Sequence, residues 1–399
     1  MRTKPRNLSR SQSARRETAP AVAPLSVAGW LLLLLAALAQ AGVIVTADGP
    51  RAGAVELNKG QLTLDGKPVA WEQVLSAVVR GNARTMPPPH AVHMKNGEIW
   101  RGQVLTLSGK KLTLELSGRH EVDVDRVAQI ELLPLPARAP LAANTLYRLK
   151  EDAARVTRQS LGFLAVAGED ALPGALLWID ERQLAVDSPL GVLTLARQGV
   201  VRYVIEPQVE GVPLPAGQDE VCLVDGSVLR GASAPTASGL DMTHELLGKL
   251  SLPALAVRSL RRNPGNVAWL ADLKRTVKSM PLVAVGEPQG GPVQADADGS
   301  AASVLRFEAG STSRFKLPAG AASLEATLRC GADARGEVKV RILADNKELA
   351  EQTMAPRASH ELKLDLAEAK ELVIEVEFGK SILVPASVVL KDARIVKKA

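Results

Sequence analysis

Charged and apolar residues alternate without a break over Glu337-Val338-Lys339-Val340-Arg341-Ile342 and again over Glu361-Leu362-Lys363-Leu364-Asp365-Leu366. Each run has about the length of one strand. Successive side chains on a strand point to opposite faces, so this period predicts two half-buried β-strands. Val338, Val340 and Ile342 would then pack on a core while Glu337, Lys339 and Arg341 meet water. Asp345-Asn346 supplies a turn. The run from Leu372 to Phe378 is more continuously apolar at its start, which predicts a strand nearer the middle of a sandwich.

Upstream, a pattern repeats. Asn96-Gly97-Glu98-Ile99-Trp100-Arg101-Gly102 recurs as Asp225-Gly226-Ser227-Val228-Leu229-Arg230-Gly231, each after a short apolar strand. Asn-Gly and Asp-Gly between apolar runs predict hairpins with type I′ turns, in which both central residues take positive φ. A looser copy begins at Gly168 to Gly174, and a degraded one runs from Asp48-Gly49 to Val79. Closing apolar segments follow at Val127–Leu132, Val200–Ile205 and Leu255–Leu260. Four or five short strands per copy resemble small SH3-like or Sm-like barrels, and units so small would pack on one another to bury enough surface. Proline-rich joins at 86–89, 133–136 and 212–215 separate them. The expected organisation is a leader over 1–41, a degenerate repeat over 42–86, and a small barrel over 87–136. A linker or helix over 137–160 follows, then repeats over 161–207 and 216–262 and a sandwich over 263–399.

The last third also carries a family pattern. It consists of Trp269-Leu270-Ala271-Asp272-Leu273, Gly331-Ala332-Asp333, Gly336 to Ile342, Asp345, Leu372 to Gly379 and a closing Asp392-Ala393-Arg394-Ile395. In these residues the chain resembles the NPCBM family, carbohydrate-binding modules associated with family 98 glycoside hydrolases. The resemblance implies a galactose-binding-like β-sandwich with sugar as ligand. It departs from the family where Glu308 replaces a His, and where Leu390 stands in place of an aromatic before the closing Asp-Ala-Arg. Glu308, Asp333, Arg335 and Asp345 are the candidate ligand-binding residues, the last three because loop positions could hold a polar ligand. Sugar sites usually stack rings on pyranose C–H faces. Here only Trp269, Phe307, Phe315 and Phe378 are available, and their apolar surroundings predict that they belong to the core.

The leader changes how the charge reads. Arg2, Lys4, Arg6, Arg10, Arg15 and Arg16 precede an apolar run from Leu25 to Ala39 and Ala39-Gln40-Ala41, which predicts an export signal, cleaved or retained as an anchor. Six basic residues and Glu17 give it +5 of the formal +6, so the rest sits near +1 and offers no basic patch for nucleic acid. Cys222 and Cys330 lie in different units. The five histidines are scattered, and His90 and His93 would face opposite sides of one strand, so no metal site is expected. No Gly-x-Ser-x-Gly elbow or phosphate loop occurs. The expectation is an all-β, exported, non-enzymatic protein without cofactor that binds a glycan or glycoconjugate of the bacterial cell envelope. Its location would be periplasmic, cell-surface or secreted, with membrane contact only through an uncleaved leader. The alternative is a structural or assembly scaffold whose sandwich contacts an envelope protein.

Overall fold

Each of the four sequence copies folds as an antiparallel meander that ends in one 3-10 turn and a closing strand. The computed structural model describes residues 42–79, 88–132, 162–166, 172–205, 212–279, 303–331, 336–378 and 387–398, and these are all-β with single 3-10 turns. The leader, the segment 137–160 expected as a linker or helix, Asp333 and Arg335 lie outside the described residues.

The first copy holds β1 (Gly42–Thr46), β2 (Gly49–Gly53), β3 (Val55–Asn58), β4 (Gln61–Leu64), β5 (Lys67–Val69) and β6 (Val74–Val78). The second holds β7 (His90–Met94), β8 (Ile99–Ser108), β9 (Lys111–Glu115), β10 (Arg119–Asp123) and β11 (Val127–Glu131). The third has β12 (Phe163–Val166), β13 (Leu172–Pro173), β14 (Ala175–Ile179), β15 (Gln183–Ser188), β16 (Gly191–Ala196) and β17 (Val200–Val204). The fourth has β18 (Asp219–Leu223), β19 (Val228–Thr236), β20 (Gly239–His244), β21 (Gly248–Pro253) and β22 (Val257–Arg262). The 3-10 turns Trp71–Gln73, Val124–Arg126, Arg197–Gly199 and Ala254–Ala256 precede β6, β11, β17 and β22.

In every copy the first strand pairs with the closing one. The copies are not sealed off from one another, however. Closing strands pair across copies, β6 with β22 and β11 with β17, and β8 touches β19. The result is one 19-stranded sheet, beside which β3, β4 and β5 form a sheet of three. A single buried cluster runs through all four copies, from Ile44 and Leu112 to Leu164 and Val257. That continuity follows from size: one copy alone has too little apolar surface to enclose a core.

The repeated motif makes physical sense only in pairs. Gly97 and Gly226 have φ of +89° and +86°, but the residues before them do not join the positive-φ set, so the turns are not type I′. Instead the Gly97 amide donates to the Met94 carbonyl, and the Asn96 carboxamide oxygen accepts from Glu98 N at 3.2 Å. The same happens at Gly226 and Leu223, with the Asp225 carboxylate accepting from Ser227 N at 2.8 Å. Each motif arginine covers the other copy's turn glycine: a Cβ on Gly97 would meet Arg230 at 3.1 Å, and one on Gly226 would meet Arg101 at 2.9 Å. Each arginine amide also donates to the other motif, Arg101 N to Ser227 Oγ and Arg230 N to a Glu98 carboxylate oxygen.

The C-terminal strands are β23 (Val267–Trp269), β24 (Arg275–Ser279), β25 (Val304–Glu308), β26 (Ser311–Lys316), β27 (Ala321–Cys330) and β28 (Val338–Ala344). They continue with β29 (Lys347–Met354), β30 (Ser359–Asp365), β31 (Glu371–Phe378) and β32 (Ser387–Lys397). β23, β32, β27 and β30 form one sheet with β25 also on β32; β24, β26, β31, β28 and β29 form the other. One core joins both sheets: Phe307 of β25 meets Phe315 of β26 edge to face at 6.4 Å. Val338, Val340 and Ile342 are buried, while Lys339 and Arg341 reach Glu351, Glu348 and Glu375 on the outer face. β31 lies centrally between β26 and β28. Trp269, Phe307 and Phe315 are buried and Phe378 is half-buried, so the core takes the aromatics.

A buried ionic network fastens this sandwich to the fourth repeat. Glu220 accepts from Arg230 at 2.7 Å and from Arg261 at 2.9 Å, and Arg261 also donates to Asp272 at 3.0 Å. Burial alone would raise the Glu220 carboxyl, but Arg261 and Arg230 outweigh it and hold its pKa below the ordinary value. Asp272 shares Arg261 with that competitor, so burial wins there, the Glu220 charge adds to it, and its pKa is raised. Beside the network, Trp269 donates to the Arg262 carbonyl at 3.0 Å and packs with Leu75 and Val267.

Candidate functional site

The first hairpin and the sandwich enclose a charged cleft of about 250 Å³. Its near wall is the turn joining β1 to β2, with Val45, Ala47, Asp48, Gly49 and Pro50. Thr46 pairs with Gly49, and Gly49 takes φ of +119°, which leaves just Ala47 and Asp48 between the strands. The far wall combines Glu325, Ala326 and Thr327 of β27, Glu361, Leu362 and Lys363 of β30, and Lys391, Asp392 and Arg394 of β32.

A bulge in β32 shapes that wall. Glu325 pairs with Arg394 but Thr327 pairs with Lys391, so Asp392 and Ala393 stand opposite one residue, and Asp392 takes φ of +47°. The Asp392 backbone and carboxylate both hold Ser303, through N–H to carbonyl at 2.7 Å and by accepting its amide at 3.1 Å. Ser76 of β6 donates to the same carboxylate at 3.5 Å, which ties the bulge to the first repeat. Two residues on, the buried Arg394 donates to Glu325 at 2.6 Å, and Lys363 stands 3.4 Å from that carboxylate. Thr327 donates to Glu361 at 3.0 Å. The Nε of Arg394 is buried and finds no acceptor among the described residues.

Chemically, the cleft offers carboxylate acceptors and cationic donors side by side. Asp48, Glu325, Glu361 and Asp392 face Lys363, Lys391 and Arg394, so neither sign dominates. Among the described residues no group of three or more His, Cys, Asp and Glu side chains is placed to hold a metal ion.

Of the residues singled out in the sequence, Asp333 and Arg335 lie outside the described residues, and Glu308 and Asp345 stand away from the cleft. Glu308 is exposed at the end of β25, where its carbonyl accepts from Ser311 Oγ at 2.6 Å. Asp345 has φ of +45° in the turn between β28 and β29, and its carboxylate accepts the amides of Lys370 at 3.0 Å and Glu371 at 2.9 Å. It pins two turns together. Neither lines the cleft. The cleft's parts were visible in the sequence only as a family pattern at Asp392-Ala393-Arg394, a strand at Glu361–Leu366 and the start of a repeat at Asp48-Gly49. Nothing local showed that these meet.

No family model matches the chain, and no curated protein does. Among solved structures, a CBM51 module from Clostridium perfringens GH95, in complex with methyl-galactose, is similar at 16% identity and a TM-score of 0.26. That match covers 33% of this chain and 99% of the module. The tandem CBM51 modules of the family 98 glycoside hydrolase Sp3GH98 from Streptococcus pneumoniae show 12% identity and a TM-score of 0.25, covering 46% of this chain and 72% of theirs. The CBM51-2 and INT domains of Clostridium perfringens ZmpB give 17% identity and a TM-score of 0.25, over 40% of this chain and 36% of that one.

Proposed function

We propose that the chain is an exported, non-catalytic protein that binds a neutral saccharide, free or as part of an envelope glycoconjugate, in the cleft between the first hairpin and the sandwich. The observation that carries this reading is the balanced polar wall around the Glu325–Arg394 pair. Saccharide hydroxyls both donate and accept, so a wall that alternates carboxylates with cations matches them. A cleft of mixed sign favours a neutral polar ligand over one of high net charge. Pro50 and Leu362 supply the apolar contact that sugar C–H faces require. The volume suits one small polar molecule rather than a drug-sized one, for which pockets of about 300–1,000 Å³ are usual. Export rests on the basic leader and its apolar run.

The test is a glycan-array and polysaccharide pull-down screen of the full chain beside Lys363→Ala and Glu361→Gln. Retention on a polysaccharide or peptidoglycan preparation that both substitutions weaken supports the cleft. Retention unchanged by either moves the site elsewhere. A folded chain retained on none overturns the reading.

A further inference from the structure

The four copies present the same strand at the same place, the one just before the 3-10 turn, and three of the four protect it. In the first copy this is β5, with Lys67 and Pro68; in the second, β10, with Arg119, Glu121 and Asp123; in the fourth, β21, with Lys249 and Pro253. Charges and prolines on an edge strand block pairing with another chain. The third copy's strand, β16, reads Gly191-Val192-Leu193-Thr194-Leu195-Ala196 and has neither.

The comparison with β21 is residue by residue. Both strands share one burial alternation and one register on the preceding strand, Ser188 to Gly191 and Gln183 to Ala196 against His244 to Gly248 and Gly239 to Pro253. Lys249 therefore corresponds to Val192, and Pro253 to Ala196. Val192 is 63% exposed and the preceding Leu190 is 80% exposed. Among the described residues β16 pairs only with β15. Its other edge offers an uncharged run of backbone donors and acceptors flanked by exposed apolar side chains.

We propose that β16 pairs antiparallel with β16 of a second copy of this chain, giving a twofold dimer in which the shared sheet continues across two molecules. Antiparallel pairing of a strand with itself sets each residue opposite another residue of the same strand, so charges near the axis would oppose their own kind. A strand without charge or proline meets that condition in any register, whereas the equivalent strand of each other copy carries a charge or a proline. Antiparallel strand pairing is also how these repeats already join one another, at β6 with β22 and β11 with β17. Leu190 and Val192 of each copy would be covered by the other.

Sedimentation equilibrium of the full chain over a wide concentration range tests this, beside Val192→Lys combined with Ala196→Pro. Those changes install the fourth copy's residues, and Ala196 already has φ of −66°, close to the −58° of Pro253. The expected result is a reversible dimer whose dissociation constant rises at least about tenfold in the variant, with an unchanged thermal transition at concentrations where both chains are monomeric. A chain monomeric at every concentration overturns the proposal, and so does a dimer that persists in the folded variant. Hydrogen exchange of the unmodified chain gives an independent reading: β16 amides should exchange more slowly as concentration rises. Exchange that is slow at all concentrations would assign the edge to a segment of the same chain and overturn the dimer.

Discussion

Gly102 and Gly231 close the repeated motif because the backbone of the neighbouring antiparallel strand leaves no room there for a side chain. A Cβ on Gly102 would collide with the Glu115 carbonyl oxygen, and one on Gly231 with that of Thr243. Backbone atoms cannot turn aside as a flexible side chain can. Gly102→Ala or Gly231→Ala should therefore each cost about 1–3 kcal/mol in urea unfolding, as overpacking does. Gly199→Ala is the matching control, since its Cβ would meet nothing within 4 Å, and it should change stability by less than about 0.5 kcal/mol. His90 gives a second residue-scale expectation. Burial, with the Arg197 guanidinium beside it, lowers its pKa from 6.5 to about 4, and its Nδ1 accepts the Val104 amide at 2.9 Å. Between pH 6.5 and 4 the unfolded chain takes up a proton there that the folded chain refuses, so this contribution to stability is lost as pH falls through that window. In His90→Gln the fall in urea midpoint from pH 7 to pH 5 should shrink. An unchanged fall would assign it to other groups.

At the scale of the element, strands were legible where each side chain's fate depends on its own sheet. Val338, Val340 and Ile342 face the core because period-two alternation is a property of one strand, whatever lies beside it. The turn at Asn96-Gly97 was legible as a turn but not as to type, because Asn96 and Asp225 spend their side chains on the second amide downstream. The covering of each turn glycine by the other copy's arginine was hidden, since it exists only between copies. So was the network at Glu220, whose members come from three strands and a 3-10 turn. That network sorts its two carboxylates. Glu220 is held ionised by two arginines, whereas Asp272 competes for one of them and is pushed up. Glu220→Gln should cost about 3–5 kcal/mol, the usual effect of breaking a buried ion pair. Asp272→Asn should cost clearly less, because burial already favours its neutral form. Equal losses in chemical unfolding would mean that both carboxylates carry the same share of Arg261.

For the whole molecule, the cleft belongs to neither half of the chain. Asp48 and Pro50 come from the first hairpin, and the Glu325–Arg394 pair from the sandwich, with Ser76 and Asp392 fixing one against the other. The local patterns that make the strands legible carry no information on which distant turn will meet which bulge. A ligand held there contacts both halves, so it binds only the folded, assembled chain and stabilises it by RT ln(1 + [L]/Kd), about 2.7 kcal/mol at a hundredfold excess over Kd. Among the described residues no aromatic ring lines the cleft to stack on a pyranose, so affinity should come from hydroxyl contacts and be weak. The expected outcome is a rise in thermal midpoint on adding the bound saccharide to the full chain. That rise should be reduced alike by Pro50→Gly on the hairpin side and by Lys363→Ala on the sandwich side, with the unliganded midpoint of Lys363→Ala close to that of the parent because its side chain is 78% exposed. If Pro50→Gly leaves the ligand-induced rise untouched while Lys363→Ala abolishes it, the sandwich binds alone. The first repeat is then only its support.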